Sequence, residues 1–206
     1  MSKLPPNHRF LDFSDYGRTP ARWIAHALKD TLVTPIHVTL LFGVVGLAAC
    51  GFMFSNHYYL AGLFLILKSI LDAADGELAR VKKTPSYTGR YLDSIFDILL
   101  NAVIIASISY ITKSPLFIAV LAFLGIQLQG TLYNYYYVIL RNEFDGDNTS
   151  RINEKNVPIA FPGEKQKHVN LLYNIFNLLY RGFDQTIYYA DRQAPKNQKF
   201  PNWFMS

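Results

Sequence analysis

Ile36–Phe54 reads IHVTLLFGVVGLAACGFMF, 19 residues with no formal charge apart from what His37 acquires. As a helix rising about 1.5 Å per residue it is ~28 Å long, close to the hydrocarbon thickness of a bilayer. Working outward, Tyr58–Leu71 is a second apolar run, broken only by Lys68 and followed by Asp72. Tyr91–Ile111 is a third, with Asp93 and Asp97 near its start, and Pro115–Leu140 is a fourth, rich in Leu, Ile and Tyr. Any one of these could be a core helix of a soluble protein. Four in succession, two of them almost without charge, predict a membrane protein. The composition agrees, with 50% hydrophobic and only 17% charged residues, against about a quarter charged in a typical soluble domain. At 206 residues the chain is read as one domain, 1–206. The predicted fold class is all-α: a multi-pass membrane helix bundle of four spans, with amphipathic interfacial helices.

The basic residues supply an independent check. Met1–Pro35 holds five Lys and Arg, Arg80–Arg90 four and Arg141–Ser206 nine, whereas Ser55–His57 holds none and Thr112–Ser114 only Lys113. Lys and Arg collect on the cytoplasmic side, so both termini and the Arg80–Arg90 loop are expected there, in the cell membrane. The first apolar run begins too late and is too long for a secretory signal. Before it, Thr19-Pro20 is expected to open an amphipathic helix over 19–32, with Trp23, Ile24, Ala27 and Leu28 on one face and basic residues near lipid phosphates. Residues 36–140 then form the four-span core. Residues 141–206 form a polar cytoplasmic loop and a second amphipathic helix, from His168 to Tyr189, in which Asn170, Asn174, Asn177 and Arg181 line one face. Cys50 is the only cysteine, and no Cys/His spacing suggests zinc.

Between spans two and three stands ILDAADGELARVKKTPSYTGRYLDSIFDILLN, Ile70 to Asn101. Asp72 and Asp75 are three apart and Asp93 and Asp97 four apart, so each pair shares a helix face. The loop between them makes the two helices antiparallel, and all four carboxylates can converge. Each is costly next to the membrane core, about 2.5–3.5 kcal/mol at mid-span, and they repel one another. A divalent cation offsets both costs, and an all-oxygen cage suits Mg²⁺ or Mn²⁺. The same spacing also fits helix-end aspartates paired with Arg80, Lys82, Lys83 and Arg90, a reading less suited to two pairs in register. Gly76, Ala79 and Gly89 clear side chains beside the carboxylates, as a bulky ligand such as a nucleotide diphosphate needs. Arg80 has the donor fork that suits a phosphate oxygen.

Asp72-x-x-Asp75-Gly76-x-x-Ala79-Arg80, eight residues, then Gly89-x-x-x-Asp93-x-x-x-Asp97 resembles the signature of the CDP-alcohol phosphotransferases at every position. The flanking spans extend the likeness over roughly 19–140. The resemblance implies an integral membrane transferase of phospholipid biosynthesis, which moves a phosphatidyl or phospho-alcohol group from a CDP-linked donor to an acceptor alcohol and releases CMP. It further implies that Asp72, Asp75 and Asp93 are the main metal ligands, and that Asp97 is the general base and touches a second Mg²⁺ or Mn²⁺. Gly76, Ala79 and Gly89 would make room for the cytidine nucleotide, and Arg80 would help to hold it. Two features depart from the family. Thr34-Pro35 is followed by Ile36, where many members have Asn. The family fold has six spans, so a homodimer, or two helices beyond the aromatic-rich end Pro201–Ser206, would complete it.

A small transporter or ion-binding protein using intramembrane carboxylates is the alternative. It predicts acidic groups near mid-bilayer on broken helices, whereas these lie at helix ends beside a basic loop. A nucleic-acid binder is disfavoured, because the basic residues lie in loops around apolar spans, without a recognition helix.

Overall fold

The computed structural model describes residues 16–143 and 156–193. Met1–Asp15, most of the polar loop after Leu140, and the aromatic end Pro201–Ser206 lie outside the described residues. Within them the chain forms six helices and no strand: α1 (Arg18–Leu28), α2 (Pro35–Phe54), α3 (Tyr58–Lys82), α4 (Tyr87–Thr112), α5 (Leu116–Glu143) and α6 (Gln166–Gln193).

Local chemistry sets the helix ends. Thr34 caps α2 by accepting from the His37 amide, while His37 Nδ1 accepts from the Thr34 amide at 3.1 Å and Pro35 fills the first turn. This reciprocal cap satisfies two backbone donors that a helix start leaves open. Ser86 caps α4 through the Gly89 amide at 2.8 Å. Lys83 and Lys113 end α3 and α4 in the left-handed region, at φ 54° each, and reverse the chain into the next helix. The first helix differs from expectation. It starts at Arg18 after Gly17, which makes no side-chain cap, and ends at Leu28, short of residue 32. It docks through Ala21 and Ala25, with Ile24 and Leu28 packed beside them, while Trp23 is 73% exposed on the outside of the bundle.

Among the described residues three helices, rather than four, are long and apolar enough to cross a membrane: Pro35–Phe54, Tyr87–Thr112 and Leu116–Ile139. The chain is an integral membrane protein. The expected second span lies in α3, whose apolar stretch is cut short by Lys68 and by Asp72, Asp75, Glu77, Arg80 and Lys82. At 25 residues α3 is nevertheless ~37 Å long, and it links two apolar helices through short turns while packing against α2. It therefore returns the chain across the bundle with its charged half at one end.

Ala21, Ala25, Val38, Phe42, Val45, Leu71, Ala74, Leu78 and Leu100 form the core where α1, α2, α3 and α4 meet. A Cβ on Gly43 would meet the Phe96 ring at 2.9 Å, and one on Gly46 would meet the Leu100 methyls at 2.9 Å. Small residues thus bring α2 and α4 together, as is usual where lipid gives helices no hydrophobic drive to associate.

The last helix, α6, lies across the bundle end. Tyr173 and Phe176 pack on Tyr91, while Tyr180 donates to the Ser94 carbonyl at 2.8 Å. Further along, Asp191 accepts from Tyr135 and Tyr136. Counted from the turn between α4 and α5, Tyr135 is as deep in α5 as Asp93 is in α4. α6 thus stays at one depth, level with the aspartates, in keeping with the amphipathic interfacial helix expected after residue 168.

Candidate functional site

Asp72 and Asp75 lie on one face of α3, and Asp93 lies on the first turns of α4. Each offers a carboxylate oxygen, and the three oxygens lie within 4.8 Å of one another. The donor set is all oxygen and all anionic, as hard divalent cations prefer. A metal ion fits there on charge and spacing. Asp75 is buried, and its carboxylate accepts from Thr39 Oγ1 at 2.6 Å. That bond ties α2 to α3 at the site and orients one carboxylate oxygen.

Asp97 stands outside this triad. Its Oδ1 is held by Lys68 Nζ at 2.5 Å, and the same ammonium reaches Asp72 Oδ2 at 3.3 Å. The four carboxylates therefore gather as three plus one, with a lysine between. A cation partner for Asp72 and Asp97 comes from inside α3, from Lys68. Lys82 instead donates to the Thr31 and Val33 carbonyls at 2.7 and 2.8 Å, and Arg90 lies over the rings of Tyr87 and Tyr91.

Arg80 pairs with buried Glu77 at 3.1 Å, and Arg22 of α1 approaches the same carboxylate at 3.8 Å. Its Nε is buried without a hydrogen-bond partner among the described residues, so the fork keeps donor capacity while its position is fixed from below. A Cβ on Gly76 would meet the Arg80 guanidinium at 3.6 Å; a larger side chain there would displace Arg80. Ala79, one turn beyond Asp75, is half-buried. At Gly89 a Cβ would come within 3.2 Å of Ser86 Oγ, the atom that caps α4. The space at Gly89 thus serves the helix start as well as any ligand.

The start of α4 is also held from a distance. Glu164 accepts from Ser86 Oγ at 2.8 Å, from the Thr88 amide at 2.7 Å and from the Tyr87 amide at 3.2 Å, and it closes its own turn on the Phe161 amide at 3.1 Å. Phe161 stacks on Tyr87 at 4.7 Å. Partial burial pushes the Glu164 carboxyl up, but the hydrogen bonds from Thr88, Ser86 and Phe161 outweigh it and hold the group below the usual glutamate range. A carboxylate at a helix start is also favoured by the helix dipole. α6 contributes Tyr180, whose phenol is pushed up by burial and then by the charges of Asp97 and Asp93.

Sequence reasoning passed over four of these groups. Lys68 carried a signal, since it precedes Asp72 by four residues and a helix puts such a pair together. Glu77 carried a similar signal, three residues before Arg80 on the same helix, whereas Thr39 and Glu164 carried none, because their partners come from another helix or from 77 residues away.

Similarity to known proteins narrows the chemistry. The CDP-alcohol phosphatidyltransferase profile matches residues 32–189, which include Asp72, Asp75, Asp93, Asp97 and the Glu164 clamp. The chain belongs to that family. Within 69 residues it is 45% identical to a bifunctional IPC transferase and DIPP synthase of Thermococcus kodakarensis, covering 32% of this chain and 16% of that protein. It is 33% identical over 92 residues to an archaetidylinositol phosphate synthase of Pyrococcus horikoshii, covering 45% of this chain and 49% of the relative. A second bifunctional IPC transferase and DIPP synthase, from Archaeoglobus fulgidus, is 36% identical over 94 residues, 45% of this chain and 19% of that protein. The matched stretches thus span half or less of the length of these curated relatives.

Proposed function

We propose that this CDP-alcohol phosphatidyltransferase family member transfers a phosphatidyl or phospho-alcohol group from a CDP-linked donor to an acceptor alcohol, releasing CMP. The observation that carries this reading is the meeting of Asp72, Asp75 and Asp93 within 4.8 Å in a chain of this family. Those three residues would hold Mg²⁺ or Mn²⁺. Such an ion would neutralise the donor pyrophosphate and the leaving CMP phosphate.

The remaining steps fall to the protein. Gly76 and Ala79 leave the backbone bare beside the carboxylates, and Arg80, braced by Glu77, directs its donors at a phosphate oxygen. Asp97, held by Lys68, takes the proton of the acceptor hydroxyl as that oxygen bonds to phosphorus and the bond to CMP breaks. An alcohol, with a pKa near ~15, requires such a positioned base. The basic residues at the aspartate end favour placing this end, and both termini, in the cytoplasm. The name of the Pyrococcus horikoshii relative makes a phosphorylated inositol the first acceptor to try.

CMP release by membranes carrying the chain, with CDP-linked lipids and a panel of alcohols, tests the reading. EDTA-sensitive release with one donor and acceptor pair, lost in Asp97→Ala, is expected. Release that ignores EDTA, or Asp97→Ala at near-normal rates, would overturn the roles assigned here.

A further inference from the structure

Two buried polar groups on α5 have no part in the reaction proposed above. Gln127 is 5% exposed, and neither its Nε2 nor the buried Oγ1 of Thr131 has a hydrogen-bond partner among the described residues. The two stand four residues apart, so they share a helix face. Counted from the turn between α4 and α5, Thr131 is as deep in α5 as Asp97 is in α4, and Gln127 is level with Asn101. The pair thus starts at the aspartate layer and runs about 6 Å, at 1.5 Å per residue, into the apolar part of the span.

A buried amide or hydroxyl left without a partner costs free energy, and the bilayer core holds no bulk water to supply one. Two such donors on one face are suited to an oxygen acceptor that arrives from the membrane. A CDP-linked glycerol lipid brings one. With its pyrophosphate at Asp72, Asp75 and Asp93, its linkage oxygens, ester or ether, follow the phosphate immediately on the bilayer side. A plain alkyl chain in their place has no acceptor at all. We infer that Gln127 and Thr131 donate to the linkage oxygens of a glycerol lipid donor, and so select it over a CDP-linked plain alcohol. The inference rests on the proposed function in taking the donor to be lipid-linked, with its pyrophosphate at the triad.

Two measurements on the detergent-purified full chain test it. Thermal unfolding without donor comes first. Gln127→Met and Thr131→Val remove groups that lack a partner in the free protein, so neither is expected to melt lower than wild type. The second is CMP release from CDP-dioleoylglycerol, a CDP-linked dialkylglycerol and CDP-hexadecanol. Wild type is expected to prefer a glycerol lipid to CDP-hexadecanol in kcat/KM. The double variant should lose about tenfold of that preference, roughly two neutral hydrogen bonds. The loss should fall on the KM of the glycerol lipid, with kcat and the acceptor KM unchanged, and Thr131→Ser should keep the wild-type KM. An unchanged preference in a folded double variant would sink the inference and leave the proposed function standing. So would a clear drop in melting temperature for both single variants, since these groups would then be paired inside the fold. A wild type that releases CMP from none of the three donors would remove the lipid-donor reading and the inference together.

Discussion

Of the apolar stretch of α2, 50% is buried inside the bundle, against 11% for that of α5, although both are long and apolar enough to span a bilayer. The helices differ in what meets their glycines. On α2, Gly43 and Gly46 are filled by Phe96 and Leu100, whereas nothing lies within 4 Å of a Cβ placed on Gly125 or Gly130 of α5. Leu116, Phe117 and Leu121 of α5 are well exposed, as lipid-facing residues are. Apolarity therefore determines that a helix is in the membrane, and shape determines what it packs against. The aspartates stand on the packed side. α2 delivers Thr39 to Asp75, α3 carries Asp72, Asp75 and Lys68, and α4 carries Asp93 and Asp97, so the trio that is most tightly fitted is also the one that sets the carboxylate spacing.

The sharpest way to break this comparison is chemical. Asp72→Asn and Asp93→Asn keep shape and remove a negative oxygen from the triad. Turnover is expected to fall on the order of a hundredfold or more, since even the groups that merely support metal ligands cost about 10–100-fold when removed. CMP release at saturating Mg²⁺ measures it. A serine in place of Thr39 keeps the bond to Asp75 and should spare most of the activity, whereas valine should not. Full activity in Thr39→Val would show that α2 does not set the site.

Next in size is packing. Gly43→Leu drives a side chain into Phe96, and overpacking of this kind costs about 1–3 kcal/mol. The same change at Gly125 has open space before it. Thermal unfolding of the detergent-solubilised chain should separate the two variants clearly. Equal losses would mean that α5 is as closely fitted as α2.

How much of this was legible beforehand follows the same division. The apolar runs at 36–54, 91–111 and 115–140 fix three spans directly, because a helix of that length with so little charge has few other places to be. The aspartate pairs were legible from spacing alone, since three- and four-residue steps fix which groups share a face. α3 was harder to read. Hydropathy is a local average, and the charges that disqualify its second half are the site itself. The Ala21–Ala25 stripe that docks α1 was passed over because alanines contribute little to an apolar face read by hydropathy. The Glu164 clamp depends on two segments far apart in the chain, and no local pattern announces it. The three-plus-one grouping of carboxylates was hidden too: the four-residue step from Lys68 to Asp72 is legible on one helix, but the reach of Lys68 to Asp97 crosses to another.

Glu164 offers a smaller and pH-dependent effect. Glu164→Gln keeps the shape and loses the charged acceptor at the start of α4, a change of about 1 kcal/mol by analogy with other helix caps. Because the folded-state carboxyl is held below its ordinary value of 4.5, its contribution is complete above that pH and is lost as the pH falls through the folded value. Unfolding measured between neutral and acid pH should show wild type losing stability in that window, with Glu164→Gln flatter across it. A parallel acid profile in the two proteins would remove Glu164 from the account.

The smallest effect is the most discriminating in sign. Alanine is favoured over glycine in a helix interior by about 0.5–1 kcal/mol. At Gly125 nothing opposes that gain, so Gly125→Ala is expected to leave stability unchanged or raise it. At Gly46 the same methyl must push aside both Leu100 methyls, 2.9 Å away, and the loss of fit opposes the gain in propensity. Gly46→Ala is therefore expected to be neutral or destabilising. The two melting temperatures should move apart, by a few degrees at most. If Gly125→Ala instead fell as far as Gly46→Ala, the outer face of α5 would be packed against protein, and the burial seen here would describe only part of the assembly that α5 belongs to.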